Sequence, residues 1–186
     1  MDTFHFMTTV LSMVLGLGVT RLLLGVVTVF RIRNKAAVDW LPLGWAVCLF
    51  MQQLEYWWAI NQLPMIKSTF SFTDFVSLVI LTMTLFVASA LLLPSRTEDE
   101  AVDLRSYFET EGRYGLLAMS VFSLLAFLTN VFFFNAAPFA PWSVLDASLI
   151  VLPAIAFFAG PRRLQVGMFC IYLPVLALDI WISAGA

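Results

Sequence analysis

The 186 residues are 61% hydrophobic and 12% charged, with a net charge of −2 and a mean hydropathy of +0.93. That balance excludes an ordinary soluble domain and offers no basic surface for nucleic acid. It describes an integral membrane chain.

Six apolar stretches fall at about residues 4–30, 39–60, 72–93, 114–136, 142–159 and 163–184, each near the ~20 residues that cross a bilayer core, the fifth close to the lower limit. They are continuous rather than alternating in polarity, which selects helices over barrel strands. Together they occupy most of the chain. The sequence therefore predicts an all-α, single-domain bundle of six transmembrane helices over residues 1–186.

The first stretch lacks a basic leader, carries Asp2, and ends in Arg31, Arg33 and Lys35 without a small-residue cleavage site. It reads as a retained span, not a signal peptide. Val14, Gly18, Arg21, Gly25 and Thr28 share one face of it, and the small residues invite a neighbouring helix. In the second stretch Asp39 stands as an N-cap before Trp40 and Pro42, and Gly44, Cys48, Gln52, Glu55 and Ala59 form a small, polar stripe. Ser71 and Asp74 open the third with capping-box spacing. Between Pro94 and Arg113, Thr97 and Glu100 repeat that spacing, and Val102, Leu104, Tyr107 and Phe108 give a partly apolar face. These features predict a short amphipathic helix at the cytoplasmic surface, its acids a solvated face or a docking surface. The fourth stretch carries Ser120, Ser123 and Asn130. Ser143 and Asp146 cap the fifth, Pro153 and Pro174 interrupt the fifth and sixth, and Tyr172, Asp179 and Ser183 line one side of the sixth.

Arginine and lysine cluster in alternate connections: Arg31, Arg33 and Lys35, then Arg96, Arg105 and Arg113, then Arg162 and Arg163, against Lys67 alone in the others. Positive-inside predicts both termini outside. Trp40 marks the inner interface, and Trp57, Trp58, Trp142 and Trp181 the outer one. Cys48 and Cys170 lie at membrane depth and form no secreted disulfide framework.

Arg21, Glu55 and Asp179 stand inside apolar stretches, where an ionised side chain costs several kcal/mol and is kept for a partner or a task. At ~1.5 Å per residue, Arg21 lies ~15 Å from the inner boundary and the acids ~24 Å. Helical side chains lean toward their own N-terminus, which brings all three toward one level. The sequence thus predicts that Arg21 pairs with Glu55, Asp179 or both, with Gln52 and Asn130 as hydrogen-bonding partners. One reading is a structural pin that fixes helix register. The other notes two acids for one arginine: the excess carboxylate would bind a small cation or proton in an outer vestibule gated by Arg21, with Pro153, Pro174, Gly18 and Gly25 as helix breaks or gates.

Several chemistries lack their residues. His5 is the only histidine, so bis-histidine haem, a serine–histidine dyad and HExxH zinc are excluded. Neither lysine lies in a span, which removes a retinal-type Schiff base, and no phosphate-loop motif is present. Met13, Met51, Met83 and Met168 with the cysteines form no copper ligand pair and read as packing residues. Lipid or quinone binding between helices is allowed by 18 Phe and 6 Trp but has no defined headgroup site. A short echo of Val10-Leu11-Ser12-Met13 in Val121-Phe122-Ser123-Leu124 hints at an inverted repeat. No enzyme or cofactor is expected.

The segment Gly16-Leu17-Gly18-Val19-Thr20-Arg21-Leu22-Leu23, with Asp103-Leu104-Arg105-Ser106-Tyr107-Phe108, resembles a loose group of uncharacterised bacterial multi-spanning membrane proteins. The resemblance implies the bacterial inner membrane and no particular activity. The expected function is a channel or transporter for a small cation or proton. The alternative is a non-catalytic scaffold or subunit that assembles with itself or a membrane partner.

Overall fold

The computed structural model describes residues 3–33, 38–67, 69–94, 103–133 and 143–185, and these are helical with no strand among them. The elements are α1 (Thr3–Ile32), α2 (Trp40–Ile66), α3 (Phe72–Leu92), α4 (Leu104–Tyr107), a π turn (Phe108–Gly112), α5 (Arg113–Phe133), α6 (Ser143–Phe158) and α7 (Arg162–Gly185). Four stretches of them, Phe4–Arg31, Phe72–Leu92, Leu104–Phe132 and Arg162–Ser183, are long and apolar enough to cross a membrane. α2 has the length, at 27 residues, but Gln52, Gln53, Glu55 and Asn61 lower its apolarity, and α6 has 16 residues.

Local chemistry explains the helix starts. Asp39 caps α2 by accepting from the Leu41 amide. Ser71 and Asp74 form a reciprocal capping box at α3, and Asp74 also holds Lys67 at 2.8 Å. Both follow the spacing rule. Thr97 and Glu100 lie outside the described residues. Where a detached surface helix was expected, Asp103 caps a turn at Leu104 that runs on through the π turn into α5. The reason is burial: Leu104 and Phe108 sit in the main core instead of facing a lipid surface.

The helices close a ring in the order α1, α3, α5, α6, α7, α2, with α2 also touching α3 across it. Two pairs run parallel. α1 lies along α3 from Phe4–Phe70 to Arg21–Ala90, and α2 lies along α7 from Asp39–Arg162 through Trp45–Tyr172 to Glu55–Ser183. Glycines set the closest approaches. A Cβ on Gly18 would meet Gln53 Nε2 at 3.1 Å, and one on Gly25 would meet Leu93 Cβ at 2.7 Å. α1 is unbroken through both, so they serve as contact points and not as helix breaks.

α6 and α7 run on through Pro153 and Pro174. In the turn before Pro153, Ser120 of α5 donates to the Ile150 carbonyl at 2.6 Å. A neighbouring hydroxyl thus binds backbone where the proline has weakened the helix's own ladder.

The basic end of the bundle is pinned by a two-pronged pair, with Arg162 Nη1 and Nη2 donating to the two carboxylate oxygens of Asp39. This joins the starts of α2 and α7. Asp39→Ala removes both the helix cap and the anchor of α7, and is expected to lower unfolding stability in detergent by about 2 kcal/mol. Asp39→Asn should keep the cap and lose only the ionic share, so thermal melts of the two variants at low and high salt separate the contributions.

Candidate functional site

α2 carries the polar side chains that hold the bundle's interior. Gln53 Nε2 donates to Ser89 Oγ of α3 at 2.6 Å, and Tyr56 Oη donates to the Leu78 carbonyl at 2.8 Å. On another side Gln52 Nε2 reaches Ser123 Oγ of α5 at 3.3 Å. These groups have left water, and each hydrogen bond avoids the cost of a bare polar atom in an apolar interior.

Beyond Gln52, toward the end of α2 that carries Lys67, the ring opens into a cavity of about 540 Å³. Its wall takes Gln52 and Glu55 from α2, Ser123 and Asn130 from α5, Asp146 from α6, and Asp179 and Ser183 from α7. Ser183 Oγ donates to Glu55 Oε1 at 3.1 Å. Glu55 and Asp179 face the same space, and Asp146 stands on its wall as well. The described lining residues include no lysine, arginine or histidine.

Four of the expected site residues therefore meet: Glu55, Asp179, Gln52 and Asn130. Arg21 does not join them. Its Nη2 donates to the Ala90 and Leu93 carbonyls at 2.9 and 3.0 Å, at the C-terminal end of α3. The last carbonyls of a helix have no partner within it and carry the negative end of its dipole, so a guanidinium there replaces a carboxylate as counter-charge. Depth alone misplaced Arg21, because it omitted this backbone partner. Gly18, Gly25, Pro153 and Pro174 also lie outside the cavity wall.

Asp146 is the residue that sequence reasoning passed over, since the spacing from Ser143 explained it as a cap. The available signal was its level. It opens a short helix at the same end of the bundle as the C-terminal ends of α2 and α7, where the other two acids stand. Comparison with protein-family models, with curated proteins and with solved structures finds no match for this chain.

Proposed function

We propose that this is a six-span bacterial inner-membrane protein whose outer cavity binds a small cation or proton and passes it across or into the membrane. The observation that carries the reading is the convergence of Glu55, Asp146 and Asp179, from three different helices, on one cavity with no basic side chain among its described lining residues. Carboxylates kept in an apolar bundle without an arginine or lysine beside them are stabilised by a cation or a proton. The two remaining helices, α2 and α6, complete six spans in this reading: α2 carries the cavity's polar wall, and α6 crosses as a short span. The distribution of arginine supports both termini lying outside, which turns the cavity mouth outward.

Glu55 and Asp179 are the binding groups, Asp146 strengthens the local negative potential, and Gln52 and Asn130 supply neutral polar contacts. Arg21 has no gating role here. In proteoliposomes loaded with pH- and alkali-cation-sensitive dyes, the wild type is expected to carry a flux that Glu55→Gln reduces at least tenfold at equal folded fraction. No flux in the wild type under a pH or voltage gradient sinks the reading.

A second reading, a non-catalytic membrane scaffold or subunit that assembles with itself or a partner, is favoured by Arg21, Gln53 and Tyr56. Each binds another helix through a buried polar contact. Under it, the loss of Glu55 changes assembly and not transport, which size-exclusion chromatography of the same variant distinguishes.

A further inference from the structure

Polar side chains recur along the interface of α2 and α7. On α2, Trp45, Cys48, Gln52 and Glu55 follow one another at steps of three and four residues, and on α7 Gln165, Phe169, Tyr172 and, two turns on, Asp179 do the same. Each set therefore lies on one helix face. The faces meet where the Trp45 ring lies 4.9 Å from that of Tyr172 and 5.5 Å from that of Phe169. From the Asp39–Arg162 pair to Glu55 the seam is about 24 Å long at the usual helical rise.

Four buried side chains on this seam each keep a polar atom without a partner. Trp45 and Tyr172 are 0% exposed, Gln52 3% and Gln165 4%, yet Trp45 Nε1, Tyr172 Oη, Gln52 Oε1 and Gln165 Oε1 have no hydrogen-bond partner in the protein. Gln52 lies against Tyr172, so the hydroxyl turned onto Oε1 satisfies that oxygen and still offers its own as an acceptor. A donor at Trp45 and acceptors at Tyr172 and Gln165 remain. Each bare buried group costs roughly 1–3 kcal/mol, and buried polar groups of this kind are where proteins hold ordered water. On the side of the basic end the seam is closed by packing. Phe169 stands on Gly44, where an added Cβ would lie 2.6 Å from its Cζ, and its ring lies between those of Trp40 and Trp45 at 5.6 and 5.5 Å.

We infer that the ion served by the cavity is a proton, and that it crosses along the α2–α7 seam from Glu55 and Asp179 past the Tyr172 hydroxyl, with the Phe169 ring on Gly44 as the inner closure. This rests on the cation-binding reading above and names its ion. Side chains buried this completely leave no bore for a hydrated metal ion, whereas a proton needs only hydrogen-bonding oxygens in succession. Gln52, whose amide nitrogen donates to Ser123 on the cavity wall, and Trp45 fix water on either side of Tyr172. The Tyr172 oxygen takes a proton from the water on its cavity side as its own O–H bond breaks toward the water held by Trp45. One O–H bond forms for each one lost, the hydroxyl is regenerated and no electron moves. The proton reaches water at Gln165 Oε1 when the Phe169 ring leaves Gly44.

The test is flux through the purified full chain in proteoliposomes at matched voltage, read with a pH-sensitive dye in one set and a potassium-sensitive dye in another. Expected is proton flux with potassium flux at least a hundredfold lower. Tyr172→Phe, which keeps the ring and loses only the hydroxyl, is expected to reduce proton flux at least tenfold at equal folded fraction. Phe169→Ala, which opens the inner closure, is expected to raise it at least threefold. Potassium flux comparable to proton flux overturns the inference and leaves the cation reading standing. Proton flux unchanged in folded Tyr172→Phe, or not raised in folded Phe169→Ala, overturns the route and with it the inference, again without touching that reading. If Tyr172→Phe does not fold, the Phe169→Ala result decides the route alone. Absence of flux of either ion in the wild type overturns both.

Discussion

Arg21→Met is expected to lower the stability of the bundle by about 3 kcal/mol while leaving cation flux per folded molecule unchanged. The side chain reaches the C-terminal end of α3 from α1, donating from one nitrogen to the carbonyls of Ala90 and Leu93. Tyr107 donates to the carbonyl between them, that of Leu91, at 2.9 Å. Methionine fills comparable space but offers no donor, so two carbonyls at the negative end of a helix dipole lose their partner. Arg21→Lys keeps a charge that can serve one carbonyl at a time, and should fall between the wild type and Arg21→Met. Thermal unfolding in one detergent gives the stability order, and flux normalised to folded protein tests the second half. Loss of flux in a folded Arg21→Met protein would return the arginine to the transport path.

Gly115→Val should cost more than about 3 kcal/mol and lower the yield of monodisperse protein sharply. A Cβ at Gly115 would lie 2.9 Å from the Cα of Leu92 and 3.0 Å from its amide nitrogen. Those are backbone atoms, so no rotamer change relieves the overlap, and α3 must move away from α5. That movement also separates the α3 terminus from Gly112, where a Cβ would meet the Leu92 carbonyl at 3.0 Å. Gly16 is the control: nothing lies within 4 Å of its added Cβ, and Gly16→Ala is expected to raise stability by up to about 1 kcal/mol. Equal destabilisation by the two substitutions would mean that helix flexibility, not contact distance, sets the cost.

Membrane-length helices are legible in the sequence because the apolar runs are long and their ends carry capping chemistry that needs no tertiary context. Asp39 and the Ser71–Asp74 pair act where they stand. The meeting of Glu55 and Asp179 is legible too, since both lie at the same distance from the basic ends of their helices. Arg21 shows where that reasoning stops. A buried arginine satisfies its charge on a carboxylate or on a row of helix carbonyls, and a sequence displays only the carboxylates. The two short motifs around Arg21 and Tyr107 lie far apart in the chain, and only the fold brings them to neighbouring carbonyls of α3. Asp146 was hidden for the opposite reason, because one sufficient local explanation obscured a second, tertiary one.

The segregation of charge along the bundle bears on how copies of the chain can associate. Arg31, Arg33, Arg105, Arg162 and Arg163 belong to one end, and Glu55, Asp146 and Asp179 to the other half. Moving one unit charge through a membrane potential changes its energy by about 2.3 kcal/mol per 100 mV, and the arginine-rich connections oppose translocation during insertion. Under the six-span reading proposed above, inverted copies are disfavoured and neighbouring molecules share one orientation. Under that same reading, two copies that associated would do so in parallel, with both cavity mouths on one face of the membrane.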